Sequence, residues 1–233
     1  MSEKPVSITT SGCWRGAAMC LPALPGTVVF GAVFGTVAAQ KGLTILETVL
    51  INSFVFAGAS QFVAMEVYKD PVTWAVLLAM VGVTAAVNMR MLLIGASLRP
   101  WLGQVPASRT YPSLFFLTDL NWLIALREYD KGERDWGIYL GSGLFMWVTW
   151  SVSVVPGYFL GSLVSDPQKW GLDIVMPAFF VALLVPLWQG RRQTISWGLA
   201  GVVAVLTWQA FGGYWGILTG AIIGAFAGAY LDD

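Results

Sequence analysis

Long runs of apolar residues that carry almost no charge make up most of the chain. A helix needs about 20 mostly apolar residues to cross the hydrocarbon layer of a membrane. The sequence contains about eight runs that come near this requirement. The predicted spans cover residues 14–39, 44–65, 72–98, 113–126, 136–163, 172–189, 195–211 and 214–231.

The last two runs are separated only by Gly212 and Gly213. A tight helical hairpin and one long bent segment both fit this spacing, so the prediction is seven or eight transmembrane helices. The predicted fold is therefore all-α: a polytopic membrane helical bundle in which residues 1–233 form a single transmembrane domain. Residues 1–13 are expected to be a cytoplasmic N-terminal tail.

The overall composition excludes several classes of protein. Hydrophobic residues make up 57% of the chain and charged residues 11%, whereas soluble domains carry about a quarter charged residues. The formal net charge is zero, and no basic patch suggests nucleic-acid binding. We therefore expect a protein embedded in the lipid bilayer, with no nucleic-acid partner.

The distribution of Lys and Arg outside the predicted spans gives an orientation, because cytoplasmic loops carry an excess of these residues. With eight spans, the side of the N-terminus holds Lys4, Arg15, Lys69, Arg127, Lys131, Arg134, Arg191 and Arg192. The opposite side holds Lys41, Arg99, Arg109 and Lys169. This bias predicts that both termini are cytoplasmic.

Helix-breaking residues interrupt the first and sixth predicted spans. Pro22, Pro25 and Gly26 lie in the first, and Pro177 and Pro186 in the sixth. A proline removes an amide donor and frees a carbonyl, and in transporters such broken helices often form the substrate site. A simple kink is the alternative interpretation at both places.

A short internal similarity accompanies these breaks. The sequence LPAL at residues 21–24 resembles MPAF at residues 176–179. Five spans separate the two starts, and this odd number would make a repeat inverted in topology. An inverted repeat is therefore possible from the sequence.

Small residues recur every four positions in the first and last predicted spans, a spacing typical of faces along which helices approach closely. These faces consist of Thr27, Gly31, Gly35 and Ala39 in the first span, and Gly216, Gly220, Gly224 and Gly228 in the last. Packing within the bundle and contact with another subunit both fit this pattern.

Few ionisable residues fall within the predicted spans or at their ends. Glu47 follows Thr44 by three, which is the spacing of a helix capping box, and Asp173 lies near a helix start, where the helix dipole favours a carboxylate. Arg90 is central in the third span, where insertion costs about 2.5 to 3.5 kcal/mol unless the charge is paired or hydrated. Asp119 lies near the middle of the fourth span, so a pair with Arg90 is geometrically open. Such a pair is either a static structural link or a coupling and gating site. Asp173 is a further candidate for the coupling and gating role.

Uncharged polar residues near Arg90 complete a candidate substrate site. Ser60 and Gln61 lie in the second span, and Asn88 precedes Arg90 by two residues. Together with carbonyls freed around Pro22 to Gly26, these groups would suit a zwitterionic solute. The predicted substrate site lies where the broken first span meets Gln61 and Asn88.

The residues available for chemistry argue against an enzyme. The chain has no His, which removes the histidine proton relay and the HExxH metal motif, and leaves serines without a base to activate them. Cys13 and Cys20 do not form a metal-binding pattern. No cofactor or metal is expected.

Several motifs together resemble the AzlC family, which comprises large subunits of branched-chain amino-acid exporters. They are FAGASQF at 56–62, NMR at 88–90 running into GASL at 95–98, FLTD at 116–119, LD at 172–173 with PAF at 177–179, and RRQ at 191–193. The resemblance covers nearly the whole chain from about residue 14. It implies export of leucine, isoleucine and valine, and in some members methionine, across the bacterial cytoplasmic membrane with a small AzlD-type membrane subunit.

Three functional classes remain open. Broken helices, sparse buried charge and the absence of a nucleotide-binding loop favour a secondary active exporter driven by an ion gradient. A passive amino-acid channel would need a continuous polar lining. A membrane scaffold subunit that transports nothing would use the glycine faces to hold a partner.

Overall fold

The computed structural model describes residues 6–163, 169, 181, 185, 188, 190–212 and 215–232. Within these residues the regular structure is helical, and an isolated bridge between Ser7 and Asp135 is the sole β-type pairing. The helices are Thr10–Met19 (α1), Leu24–Gln40 (α2), Ile45–Val55 (α3), Gly58–Val67 (α4), Trp74–Asn88 (α5), Arg90–Ser97 (α6), Arg99–Leu102 (α7), Ala107–Leu114 (α8), Asp119–Asp130 (α9), Gly137–Leu163 (α10), Arg191–Phe211 (α11) and Trp215–Asp232 (α12).

Four helical segments in the described parts of the chain are long and apolar enough to span a membrane: Thr10–Gln40, Trp74–Ser97, Gly137–Leu163 and Arg191–Phe211. Two shorter apolar helices are Ile45–Val55 and Trp215–Leu231. The predicted all-α membrane fold is confirmed, whereas the number of spans and the inverted repeat stay predictions. Most of the predicted sixth span, including Asp173, Pro177 and Pro186, lies outside the described residues.

The chain forms two compact units, one of residues 1–61 with 87–164 and one of residues 62–86 with 165–233. In the first unit, α2 packs against α10 through the predicted small-residue face. A Cβ added at Gly35 would lie 2.1 Å from the Val154 carbonyl oxygen, and one added at Gly157 would lie 1.9 Å from the Ala32 carbonyl oxygen. Glycine at these positions therefore lets the two backbones touch.

Helix α1, which precedes α2, packs against the beginning of α10 in the same way. A Cβ added at Gly16 would lie 2.1 Å from the carbonyl oxygen of Ile138, and one at Gly141 would lie 2.0 Å from that of Cys13. Residue numbers rise together along both partners, so the α1–α2 segment and α10 run parallel. If both cross a membrane, an odd number of further crossings must connect them.

A helical hairpin, α8–α9, lies beside the first half of α10. Val105, before α8, belongs to the same buried cluster as Trp136, at the start of α10. The turn between the two helices reaches deeper, where the ring centroids of Phe116 and Trp147 are 6.1 Å apart. The chain then returns, because Ala125 of α9 rejoins the cluster around Trp136. The hairpin thus starts and ends at the N-terminal end of α10.

The prediction of one continuous fourth span over residues 113–126 is wrong. Helix α8 ends at Leu114, and α9 begins only at Asp119. Thr118 caps α9: its hydroxyl accepts from the Asn121 backbone N–H, while the Asn121 side chain accepts from the Thr118 backbone N–H. These bonds satisfy amides that would otherwise be free at a helix start. Asp119 is consequently the first residue of a helix, and it does not lie in the middle of a span.

In the second unit, α11 and α12 form an antiparallel hairpin. Gly212, which ends α11, has φ of 66°, a conformation that glycine adopts without strain. The predicted glycine face of α12 lies against α11: a Cβ added at Gly216 would lie 2.5 Å from the Ala204 carbonyl oxygen, and one added at Gly220 would lie 2.7 Å from that of Ala200. The tight hairpin, one of the two arrangements that the sequence left open, is the one observed, and the glycine face of α12 lies at its inner surface.

We expect a Gly220→Leu variant to lower the thermal stability of the detergent-purified protein, because the added side chain meets the backbone of α11 and forces α11 and α12 apart. Overpacking of this kind costs about 1 to 3 kcal/mol. The matched control is Gly201→Leu in α11, where an added Cβ meets no atom within 4 Å. Equal unfolding temperatures for the two variants would contradict the role of this glycine face.

Candidate functional site

The predicted break in the first span is confirmed. Helix α1 ends at Met19, a short 3-10 turn covers Leu21–Ala23, and α2 starts at Leu24. Pro22 and Pro25 each stand in the first turn of the element that follows, where an amide donor is not required. A Cβ added at Gly26 would meet no atom within 4 Å, so the surface of α2 is open there.

The backbone around this break is satisfied locally. The Cys20 N–H donates to the carbonyls of Ala17 and Ala18, and the Leu24 N–H donates to the carbonyl of Leu21. The 3-10 turn thereby covers carbonyls that a proline in an α-helix would leave without a donor. A ligand at this break would use the second lone pair of a carbonyl that already accepts one bond.

A second break, which the sequence analysis missed, divides the predicted second span. Phe56 has φ of 43° and ends α3 in the left-handed conformation, and α4 starts at Gly58. The chain doubles back after this turn, because the Gln61 side-chain amide donates to the Ile51 carbonyl oxygen at 3.2 Å. Gly58 is the one signal in the sequence that could have indicated this break.

The second break is held by Trp150 of α10. The Trp150 indole N–H donates to Gln61 Oε1 at 3.1 Å, and the Trp150 carbonyl accepts from Asn52 Nδ2 at 3.1 Å. The Phe30 ring of α2 lies 5.2 Å from the Trp150 ring, between centroids, and a Cβ added at Gly58 would lie 3.1 Å from the same indole. Trp150 therefore contacts α2 and both halves of the broken second helix.

The polar residues predicted for this site are buried and hydrogen-bonded to protein groups. The Gln61 residue is 1% exposed and Ser60 is fully buried, with its hydroxyl donating to the Ala57 carbonyl at 2.9 Å. Asn52 is fully buried as well, and the sequence analysis missed it although it is a lone amide in an apolar run. Asn88 ends α5 and is half-buried. The structure thus brings Gln61 and α2 together at Trp150.

Arg90 and Asp119 form the ion pair that the sequence left open. The distance from Arg90 Nη2 to Asp119 Oδ2 is 3.0 Å, and the two side chains are 48% and 55% exposed. Arg90 begins α6, and Asp119 begins α9, where the helix dipole favours the carboxylate. The pair connects the start of α6 to the start of α9, at the tip of the α8–α9 hairpin.

The remaining predicted acidic residue within the described chain, Glu47, forms a capping box. Its carboxylate accepts from the Thr44 backbone N–H at 2.8 Å, and its own backbone N–H donates to the Thr44 hydroxyl at 3.2 Å. These bonds explain Glu47 as a structural residue at the start of α3.

A cluster of charged residues lies at the N-terminal end of α10 and was not predicted. Arg15 Nη1 donates to Glu133 at 2.9 Å, and Arg15 also lies 3.5 Å from Glu128, which Lys131 contacts at 2.6 Å. The hydrogen bond from Arg15, together with one from the Arg134 backbone N–H, lowers the pKa of Glu133. The cluster ties α1 to the end of α9.

The second unit contains a cavity of about 680 Å³. Its walls are mostly apolar, and Glu66 and Lys69 supply one charge of each sign. The lining residues are Glu66, Val67, Lys69, Ala75, Val76, Ala79, Ala204, Val205, Trp208, Gly216 and Ile217. A space of this size and character could hold a small amphipathic solute.

Comparison with known proteins identifies relatives over most of the chain. The family model described as AzlC protein matches residues 22–164. The inner membrane protein YgaZ of Escherichia coli is 30% identical over 202 residues, which cover 83% of this chain and 80% of YgaZ. The branched-chain amino acid transport protein AzlC of Bacillus subtilis is 24% identical over 83% of this chain and 74% of its own length. No solved structure matches the chain.

Proposed function

Because the chain belongs to the AzlC family of membrane proteins, which is related to branched-chain amino-acid transport, we propose that it is the large subunit of a secondary active exporter of branched-chain amino acids. The observation that best supports this proposal is that two broken helices, α1–α2 and α3–α4, both contact Trp150. Broken helices at membrane depth are tolerated where protein or a water-filled cavity covers them, and transporters use them to bind substrate.

The proposed substrate site lies between the break at Pro22 to Gly26 and the side chains of Gln61, Ser60 and Asn88. Carbonyls at the first break accept from the substrate ammonium through their second lone pairs. The amide of Gln61 or Asn88, or the guanidinium of Arg90, donates to the substrate carboxylate. A branched side chain then needs only an apolar wall, so leucine, isoleucine, valine and methionine are all accommodated.

Binding at Gln61 requires an exchange of partners, because its amide already donates to Ile51 and its carbonyl accepts from Trp150. In the proposed cycle, the substrate replaces one of these bonds. The exchange frees the indole or the Ile51 carbonyl and loosens the contact between the second break and α10. Substrate binding is thereby coupled to movement of the broken helix.

The Arg90–Asp119 pair is the proposed coupling site, with Asp173 as a further candidate. A paired charge within the membrane is stable, whereas separation of the pair is costly unless another ion takes the place of one partner. Protonation of Asp119, or arrival of the substrate carboxylate at Arg90, would release the pair. Either event would let the α8–α9 hairpin move relative to α6.

The proposed location is the bacterial cytoplasmic membrane, with the N-terminus in the cytoplasm and a small AzlD-type subunit as partner. The charge distribution in the first unit supports this orientation. The sequence-based assignment of Arg99 and Arg109 to the opposite side is wrong, because the neighbouring Trp101 and Val105 lie in the cluster around Trp136, at the N-terminal end of α10. In the described part of that unit, this end carries Arg15, Arg99, Arg109, Arg127, Lys131 and Arg134. The other end carries Lys41. Cytoplasmic ends carry this excess of basic residues.

We expect a Gln61→Ala variant to weaken export of leucine, isoleucine and valine together, because Gln61 would contact the backbone that the three substrates share. Loss of one hydrogen bond to a charged group corresponds to about 1.5 to 3 kcal/mol, or roughly tenfold or more in apparent affinity. The measurement is efflux of each labelled amino acid from preloaded cells, normalised to the amount of protein in the membrane.

The matched control is Gln104→Ala, which removes an exposed amide that donates to the neighbouring Pro100 carbonyl and should leave efflux unchanged. Full efflux of all three amino acids by the Gln61→Ala protein would contradict a site at Gln61. Loss of efflux for only one of the three amino acids would also contradict a site at Gln61. The cavity beside Glu66 and Lys69 would then be the better candidate for the substrate site.

A further inference from the structure

Positions along α10 serve as a measure of depth within the first unit. The α8–α9 hairpin approaches from the N-terminal end of this helix, where the Tyr139 hydroxyl donates to the Ser113 carbonyl at 3.0 Å. Deeper, the Asn121 side chain donates to the Phe116 carbonyl at 2.8 Å, and a Cβ added at Gly143 would lie 2.8 Å from Phe116 Cβ. The tip of the hairpin reaches the level of Trp147 and goes no further among its described contacts.

The broken helix α3–α4 approaches from the opposite end of α10. The Tyr158 hydroxyl donates to the carbonyl of Leu43, just before α3, at 2.8 Å. Further along the chain, Asn52 contacts the carbonyl of Trp150, and the Trp147 indole N–H donates to the Ser53 carbonyl at 2.9 Å. The break at Phe56 therefore lies near the level of Trp147 too, and the bond from Gln61 to Ile51 shows that the chain turns back there.

The two tips touch. The ring centroids of Phe56 and Phe115 are 6.4 Å apart, within the range of an aromatic pair. Phe115 lies against Phe116 at 5.1 Å, and Phe116 lies against Trp147 at 6.1 Å, both in edge-to-face geometry. A chain of aromatic contacts thus joins the two tips to each other and to Trp147, near the middle of α10.

We propose that α3–α4 and α8–α9 are re-entrant hairpins that enter the membrane from opposite sides, and that the Phe56–Phe115 contact between their tips is the closed gate of the amino-acid path. The assignment of the gate to an amino-acid path rests on the proposed function. The assignment of the hairpins rests on the contacts alone.

The position of the gate also relates it to the two sites proposed above. Phe56 lies in the loop that precedes Gln61 by five residues, and Phe115 lies in the turn that precedes Asp119 by four. The Arg90–Asp119 pair holds the start of α9, and the bonds of Trp150 hold α4. Release of either set of bonds frees one tip, so that the aromatic contact can open towards one side at a time.

The topology is tested by single cysteines in a Cys13→Ala, Cys20→Ala background, labelled with a membrane-impermeant maleimide in right-side-out and inverted vesicles. Gln104→Cys and Asp130→Cys, which flank the α8–α9 hairpin at exposed positions, are expected to react from the same face. Lys41→Cys is expected to react from the other face. Reaction of positions 104 and 130 from opposite faces would overturn the re-entrant hairpin.

The gate is tested in the same background by a Phe56→Cys, Phe115→Cys double variant treated with a short bifunctional thiol reagent that can be cleaved by reduction. Cross-linking in high yield, loss of most leucine efflux and recovery after reduction are expected. Each single variant, treated identically, is the control for labelling alone. A cross-linked protein that exports leucine at its untreated rate would overturn the gate.

The two tests separate this inference from the proposed function. The labelling pattern and the cross-linking yield require no transport, so they assess the hairpins and the contact between their tips directly. If both results are as expected and the unmodified protein moves no leucine, the exporter assignment is contradicted and the re-entrant topology stands.

Discussion

Replacement of Gly157 by leucine is expected to remove most of the folded protein from the membrane. The Cβ of this side chain would lie 1.9 Å from the Ala32 carbonyl oxygen, and the neighbouring backbone of α2 has no flexible end that could move aside. The substitution therefore separates α2 from α10 along their whole contact. We expect a cost above about 3 kcal/mol, the upper part of the range for overpacked cores, out of a total stability of about 5 to 15 kcal/mol.

The measurement is the yield of monodisperse protein after detergent extraction, with the unfolding temperature of whatever is recovered. Gly82→Leu is the matched control, because it makes the same substitution in the apolar helix α5, where an added Cβ meets no atom within 4 Å. Similar yields of the two variants would show that the contact between α2 and α10 is not the tight interface described above.

The second large effect is expected at the ion pair. We expect an Arg90→Ala variant to lose transport by about tenfold or more while its yield stays near normal, because the proposed cycle needs this pair, whereas a half-exposed ion pair adds little to stability. Asp119→Asn should produce a related defect, because it leaves Arg90 unpaired. The measurement is the initial rate of leucine efflux per amount of protein in the membrane.

Arg127→Ala is a suitable control, because Arg127 is an exposed cation on the same helix as Asp119. The charge-swapped double variant Arg90→Asp, Asp119→Arg should recover only part of the rate, since the start of α9 favours a negative charge. Normal efflux in both single variants would remove the pair from the transport cycle and leave it a structural link.

Features of this protein that depend on local chemistry could be predicted from the sequence. The break at Pro22 and Pro25 follows from the missing amide of proline, and the packing faces of α2 and α12 follow from glycine at every fourth position. The Glu47 capping box depends on two residues three positions apart. In each case the cause lies within a few residues of its effect.

The break at Phe56 could not be predicted in the same way, because no proline marks it. A phenylalanine in the left-handed conformation is strained in isolation. Here the surrounding bonds from Gln61 and Asn52 to Ile51 and Trp150 hold the turn. Those partners lie up to 98 residues away in the chain, so only the folded protein brings them together.

The error over residues 113–126 had a different cause. The run is apolar enough to suggest a span, and apolar content alone does not distinguish a crossing from a hairpin that enters and returns. Thr118 followed by Asn121 was a readable helix-start signal. With that signal the sequence would have placed Asp119 at a helix start. An ion pair between the Asp119 carboxylate and Arg90 fits both placements of Asp119, in a span or at a helix start.

The most direct test of the central claim is counterflow in proteoliposomes. The purified chain is reconstituted with and without a small AzlD-type subunit in vesicles loaded with unlabelled leucine and diluted into a trace of labelled leucine. The account predicts a transient accumulation of label inside the vesicles, reduced by outside isoleucine or valine and strongly reduced in the Arg90→Ala protein. Label that never exceeds the level of protein-free vesicles, with the partner present and the protein folded, would contradict it.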